Sequence, residues 1–305
     1  MLNIKGVVPI LQAPFTNDGA IDYEDLYREV DTAILDGAGA VTLFGTGTEF
    51  YMLSDEEKVK MISVTLKAAK GRVPVIASIT RNSTYLAIQD AKLYKDLGVD
   101  ALMNFPPHFE KPTPTEVKNH VIAIANSTDL PFIIQYAPGV GGANLTPDDF
   151  KEIQSKVTNE LYVKVEPPMG AVQMIKSVKE MLGENVQLLC GMGGTNLVGV
   201  FDAGGQGIMP GCAFVRPFNT VIELLKAGKR DEAIKIYLKM AAMIEYETPV
   251  YGSYNECEKR ILVERGIFKT YHCRYPNKRP DESYFETMHG LYEELKELTC
   301  PGVCY

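Results

Sequence analysis

The sequence predicts an α/β protein of the (β/α)8 class, a closed TIM barrel of parallel strands with a C-terminal helical extension. Three observations lead there. Eight short β-rich apolar runs recur between residues 6 and 210, and amphipathic stretches separate them. At 305 residues the chain is also long enough for one barrel of about 250 residues plus an appendage. Strands alternating with helices imply a parallel sheet, because parallel neighbours need a crossover of helical length. A doubly wound open sheet is the competing arrangement, but PFTNDGAIDYEDL, after the first strand, lacks the glycine-rich fingerprint of a dinucleotide site.

In chain order the strands are read at 6–11 (GVVPIL), 40–44 (AVTLF), 73–78 (VPVIAS), 100–104 (DALMN), 130–136 (LPFIIQY), 161–166 (LYVKVE), 186–190 (VQLLC) and 206–210 (QGIMP). The intervening helices are YEDLYREVDTAILDGA, SDEEKVKMISVTLKAAKG, TYLAIQDAKLYKDLG, TEVKNHVIAIANS, TPDDFKEIQSKV, AVQMIKSVKEMLG and TNLVGVFDAG, which carry the helical period. Asp22, Ser54 and Thr146 are N-cap residues; Gly37, Gly71, Gly98, Gly183 and Gly204 are helix stops. FVRPFNTVIELLKAG completes a barrel domain spanning 1–228. Residues 229–305 form the extension, with three further helices in KRDEAIKIYLKMAAMIEYE, NECEKRILVERG and DESYFETMHGLYEELKEL.

Composition narrows the function class. With 46% hydrophobic residues and no low-complexity tract, the chain buries a large core. A net charge of -8 without a basic cluster argues against a nucleic-acid or anionic membrane surface. No apolar run reaches spanning length. The N-terminus has an early proline and no small-residue cleavage site, so it does not read as a signal peptide and the expected compartment is the cytoplasm. Cys190, Cys212, Cys257, Cys273, Cys300 and Cys304 lack paired metal spacing and read as reduced thiols; a Cys300–Cys304 disulfide is the alternative, and needs an oxidising compartment. His108, His120, His272 and His289 are scattered, and no metal or organic cofactor is expected.

The chemistry lies in LYVKVEPPMG, residues 161–170. Side chains alternate across a strand, so Leu161, Val163 and Val165 share one face and Tyr162, Lys164 and Glu166 the other. On a half-exposed strand that polar face would simply meet water. In a closed barrel the apolar face packs on helices, and Lys164 and Glu166 point into the lumen near the C-terminal mouth, where barrel enzymes hold their sites. An amine withdrawn from water is drawn from its ordinary pKa of about 10.4 toward neutrality and becomes a nucleophile for ketones. The iminium formed is an electron sink for carbon–carbon cleavage or loss of a β-hydroxyl. Tyr136 ends the preceding strand, is expected beside Lys164, and offers a phenol for moving protons; a packed core tyrosine is the competing reading. Gly45, Thr46, Gly47 and Thr48, after the second strand, offer amides and hydroxyls for a carboxylate, or form a plain turn.

With GVVPILQAPFTNDGAIDYEDL at the start, GTGTEFYMLSDEEK after strand two, RVPVIAS at strand three, QYAP at strand five, VKVEPP at strand six and GGQGIMPG at strand eight, the chain resembles the dihydrodipicolinate synthase and N-acetylneuraminate lyase family. These are class I aldolases on a (β/α)8 barrel with a helical extension. The resemblance implies a Schiff-base lysine at Lys164, an acid/base tyrosine at Tyr136, an oxoacid carboxylate site at Thr46 with Gly45, Gly47 and Thr48, and pocket walls at Gly191 and Ile208. It also implies a homo-oligomer, tetramer or dimer.

The departures bear on substrate. The loop reads GTGTE where the family usually has GTTGE, so the second hydroxyl is displaced. Phe109, beside His108, stands where dihydrodipicolinate synthases place a tyrosine given across a subunit interface. Gly141 stands five residues after Tyr136, where they carry an arginine for the aldehyde's carboxylate. Glu166 lies two residues after the lysine rather than directly after it. K-x-E-x-P, FPPHF and Q-x-A-P are similar to the branch with 2-keto-3-deoxy-pentonate dehydratases, in which Glu166 would protonate or orient a leaving hydroxyl; an electrostatic partner for Lys164 is the other reading. His108 is read as a contact for a polar substrate tail or as a loop residue without a role. The expected activity is a Schiff-base lyase, aldolase or dehydratase, acting on a 2-oxoacid such as pyruvate or a 2-keto-3-deoxy sugar acid. The alternatives are a dihydrodipicolinate synthase proper and a non-catalytic 2-oxoacid-binding barrel.

Overall fold

The computed structural model describes residues 2–167, 169–247, 253–277 and 279–299. Strands β1 (Gly6–Val7), β2 (Val41–Leu43), β3 (Val75–Ile79), β4 (Ala101–Asn104), β5 (Phe132–Tyr136), β6 (Leu161–Val165), β7 (Val186–Cys190) and β8 (Gly207–Ile208) form one parallel sheet, ordered β1-β8-β7-β6-β5-β4-β3-β2. The remaining edge closes through Gly39 N to Val7 O, Thr42 N to Pro9 O and Leu11 N to Thr42 O, at 2.8, 2.9 and 2.9 Å. The barrel is therefore complete. Its first and last strands are shorter than the 6–11 and 206–210 read from sequence, because Pro9 and Pro210 have no N–H to give the ladder. The chain keeps its course there through Val8 N to Ile208 O and Ile10 N to Pro210 O.

Helices α1 (Tyr23–Leu35), α2 (Asp55–Ala69), α3 (Thr84–Leu97), α4 (Pro114–Ala125), α5 (Pro147–Lys156), α6 (Ala171–Leu182), α7 (Leu197–Asp202) and α8 (Val215–Lys226) complete the barrel units. Asp22, Ser54 and Thr146 cap α1, α2 and α5 through side chains that accept backbone N–H groups, as their positions predict. Gly98 ends α3 at φ 98, a left-handed conformation that only glycine adopts without cost. Beyond α8 follow α9 (Arg230–Glu247), α10 (Ser253–Glu264), α11 (Glu282–Glu293) and α12 (Lys296–Thr299). The single helix expected across DESYFETMHGLYEELKEL is thus two, separated by a turn in which Leu295 N bonds Tyr292 O.

Two apolar layers hold the assembly. The larger lies between sheet and helices and includes Leu161, Val163 and Val165; the smaller fills the barrel with Val8, Ile10, Ile76, Met103, Ile133, Tyr162, Leu189 and Met209. Alternation along each strand sorts residues between the two. Of the cysteines, Cys190, Cys212, Cys257 and Cys273 are free thiols. Burial pushes Cys190 up to about 12, which keeps it an inert thiol. Cys300 and Cys304 lie outside the described residues.

Candidate active site

Lys164 shares the inward face of β6 with Tyr162 and is 3% exposed. Its Nζ stands 3.2 Å from Glu166 Oε1. Glu166, one residue past the strand, is fixed from two further directions: Oε2 accepts from Gln135 Nε2 at 2.7 Å and Oε1 from the Met192 amide at 3.0 Å. Its own N–H donates to Tyr136 O at 2.7 Å. Gly191 makes room for the carboxylate, since a Cβ there would lie 1.8 Å from Glu166 Oε1. Lysine, carboxylate and Gln135 face a cavity of about 330 Å³ at the C-terminal mouth, walled by Phe105, Val140 and Met209 and floored by Ile10.

The Thr46–Thr48 segment is a 3-10 turn at the same cavity. The amides of Thr48 and Glu49 close it on Gly45 O and Thr46 O; those of Thr46 and Gly47, which come first, have no acceptor within the turn. Glu49 follows in a left-handed conformation, φ 53, and pairs with Lys259 of α10 at 2.5 Å, both side chains being almost wholly buried. The first turn of α10 therefore lies at the mouth, where Tyr254 and Asn255 line the cavity. A larger cavity of about 580 Å³ surrounds Lys5, Tyr162 and Gln206 at the opposite end, where the barrel face serves stability rather than chemistry.

The model of the dihydrodipicolinate synthetase family matches residues 3–294. The chain belongs to that family. A 4-hydroxy-tetrahydrodipicolinate synthase of Shewanella baltica is 30% identical over 301 residues, 95% of this chain and 96% of that one; the same enzyme of Parabacteroides distasonis is 29% identical over 238 residues, 77% and 79%. Among solved structures, the dihydrodipicolinate synthase of Rhodopseudomonas palustris matches with a TM-score of 0.88 and 24% identity over 95% and 97% of the two chains. That of Acinetobacter baumannii complexed with pyruvate matches with 0.87 and 25% over 96% and 99%. The fold is accordingly a (β/α)8 barrel with C-terminal helices, and the chain is a lyase of the class I aldolase type.

Within this family frame several expected site residues lie elsewhere. Tyr136 does not face Lys164. The register pairs Lys164 with Gln135 and Tyr136 with Val165, so Tyr136 points outward, its ring edge-on to Phe150 at 5.4 Å and its hydroxyl donating to Leu145 O at 3.2 Å. Burial raises its phenol. Ile208 is displaced for the same reason: it packs in the outer layer, and Met209 takes the cavity wall. Thr48 turns away, its hydroxyl donating to Leu11 O at 2.6 Å. Gly45 opens the turn under Ile10, whose Cγ2 would be 2.8 Å from a Cβ. His108 and Phe109 are exposed, Phe109 at 85%, and Phe105 supplies the aromatic wall, with the His108 ring stacked on it. Gly141 packs against His108 and Phe105, so a Cβ there would meet their side chains at 2.7 and 2.8 Å.

Sequence reasoning missed Gln135, Met192, Met209, Tyr254 and Asn255. For Gln135 the sequence offered no deciding signal, because in IIQY each face carries one isoleucine and one polar-tipped side chain, and it is the register with β6 that pairs Gln135 with Lys164. For Tyr254 and Asn255 none existed, since α10 reaches the mouth only through tertiary packing. His289, scattered in sequence, meets Glu264 and Glu293 on the surface within 4.8 Å; its two ring nitrogens face different carboxylates at 2.9 and 3.6 Å, the geometry of ion pairs.

Proposed function

We propose that the protein is a Schiff-base lyase acting on a 2-oxoacid of the 2-keto-3-deoxy sugar acid class, with Glu166 in place of the phenol as its acid/base. The observation that carries this is the 3.2 Å approach of Glu166 Oε1 to Lys164 Nζ in the cavity at the barrel mouth, with Gln135 rather than a tyrosine paired with the lysine on β5. Glu166 takes a proton from the Lys164 ammonium, and the free amine attacks the C2 ketone. The carbinolamine hydroxyl leaves as water on receiving that proton, which gives the iminium. Removal of a C3 proton by Glu166 forms the enamine, expulsion of the C4 hydroxyl, protonated as it leaves, gives the unsaturated iminium, and hydrolysis of its C=N bond by water releases the dehydrated product and restores Lys164. Thr46 and Gly47 hold the carboxylate.

The second reading, 4-hydroxy-tetrahydrodipicolinate synthesis, is favoured by the relative of that name at 30% identity. Against it stands the mouth, where the position five residues after Gln135 is Val140 and no arginine lines the cavity among the described residues. A cytoplasmic homo-oligomer fits the exposed Tyr51, Tyr85 and Phe109; no described helix is long and apolar enough to cross a membrane. Borohydride with pyruvate, followed by peptide mapping, should label Lys164 and nothing else in the barrel. Untreated enzyme is then assayed with 2-keto-3-deoxy pentonates. A dehydrated semialdehyde product supports the reading and pyruvate release replaces it with aldol cleavage. Turnover only of pyruvate with aspartate semialdehyde establishes the second reading, and binding without any turnover makes the barrel non-catalytic.

A further inference from the structure

We propose that Asn255, on the first turn of α10, is a substrate-binding residue supplied by the C-terminal extension, and that its side-chain amide donates to the 2-oxoacid carboxylate beside the Thr46–Gly47 turn. The assignment rests on the reading of the cavity as a Schiff-base site. Asn255 is only 5% exposed, yet it lines the cavity. Among the described residues its side chain has no hydrogen-bond partner, whereas Asn104, Asn126 and Asn159 each donate through Nδ2 to a backbone carbonyl. An amide that opens on a cavity with its two donors and its acceptor unused by the described residues is placed for a ligand to complete its bonding.

The surroundings fix which part of the ligand. α10 packs against the Thr46–Thr48 turn, and the ring of Tyr254 lies 3.5 Å from where a Gly47 Cβ would be. Asn255 therefore stands on the side of the cavity where the Thr46 and Gly47 amides open. Lys164 is the only cation lining the cavity among the described residues, and it is committed to the ketone. The carboxylate must then be met by neutral donors, for which an asparagine amide next to two backbone amides is suited. α10, 12 residues long, adds the positive end of its backbone dipole at the same point.

The test is borohydride trapping of the full chain over a range of pyruvate concentrations, with hydroxyacetone, a ketone without a carboxylate, as the comparison. Asn255→Ala should raise the pyruvate concentration for half-trapping about tenfold or more while still labelling Lys164 at saturation, and should leave the hydroxyacetone dependence unchanged. Asn255→Asp, which sets a carboxylate against the ligand's, should be worse than Ala. Melting temperatures within a few degrees of wild type show that the loss is one of binding. An unchanged pyruvate dependence in Asn255→Ala, or an equal loss with hydroxyacetone, overturns the assignment while leaving the Schiff-base reading intact. A wild-type chain that neither ketone labels overturns both.

Discussion

Lys164 and Glu166 are paired because strand alternation puts both on one face, and Glu166 is kept there by what Gln135, the Met192 amide and Gly191 do to it. Gln135 is the residue that decides which oxygen turns toward the amine. Gln135→Leu keeps the volume and removes the 2.7 Å donor, leaving one carboxylate oxygen unmet inside the cavity at a cost of about 1–3 kcal/mol. It should lower kcat roughly 10- to 100-fold while trapping at Lys164 persists. Tyr136→Phe should change kcat less than about threefold and cost about 1 kcal/mol of stability, the worth of its bond to Leu145 O. Steady-state kinetics on the two variants distinguish the outward tyrosine from a proton shuttle: a large kcat loss in Tyr136→Phe with wild-type behaviour in Gln135→Leu would reverse the assignment.

At the scale of elements, the contact that matters is α10 on the turn after β2. Lys259 meets Glu49 at 2.5 Å, donates to His272 O at 3.0 Å and lies over the Phe15 ring at 4.5 Å, without exposure. Such a pair adds little net stability as a pair, but removing one member strands a charge in the core. Lys259→Met should therefore destabilise by about 3–5 kcal/mol and weaken 2-oxoacid binding, because Glu49 directly follows the Thr46–Thr48 turn. Denaturant unfolding and trapping titrations measure the two effects. The elements themselves were largely legible: all eight strands and the capped helices follow from apolar period, N-cap chemistry and glycine stops. The faces of β5 and β8 were not. In IIQY and GIM, apolar residues stand on both sides, so chemistry does not say which residue faces inward, and a one-residue slip exchanges the faces.

For the whole molecule, the seam between barrel and extension buries carboxyl groups without full compensation. Glu29 of α1, whose Oε1 accepts from the Gln12 amide, is raised by burial to about 8; Glu258 of α10, accepting from the Ala213 amide, is raised by burial to about 7, and Glu247 of α9 is raised as well. Cys212 and Tyr254 lie among them, while the nearby cations Lys259 and Arg265 are paired with Glu49 and Asp36. An unfolded glutamate releases its proton near 4.5, so between there and about 8 the folded chain holds protons that the unfolded chain has lost. Stability is then present at the acid end of this window and is lost as pH rises through it, at most about 1.4 kcal/mol per pH unit for each proton retained, or roughly 3 °C in melting temperature. Melting curves from pH 5 to 9 should show this decline, and Glu29→Gln should flatten it. A melting temperature that rises across that range would contradict the buried, protonated state of the seam.

The sequence by itself determined the barrel, the order of its strands and the inward lysine and glutamate of β6, because period, caps and the alternation of charged with apolar residues are local properties. Only the tertiary structure decided that Gln135 and Met209 rather than Tyr136 and Ile208 face the cavity, and that a helix some 90 residues downstream of Lys164 contributes to its wall. Those facts depend on register between neighbouring strands and on packing between distant segments, and neither is written in the pattern of any one segment.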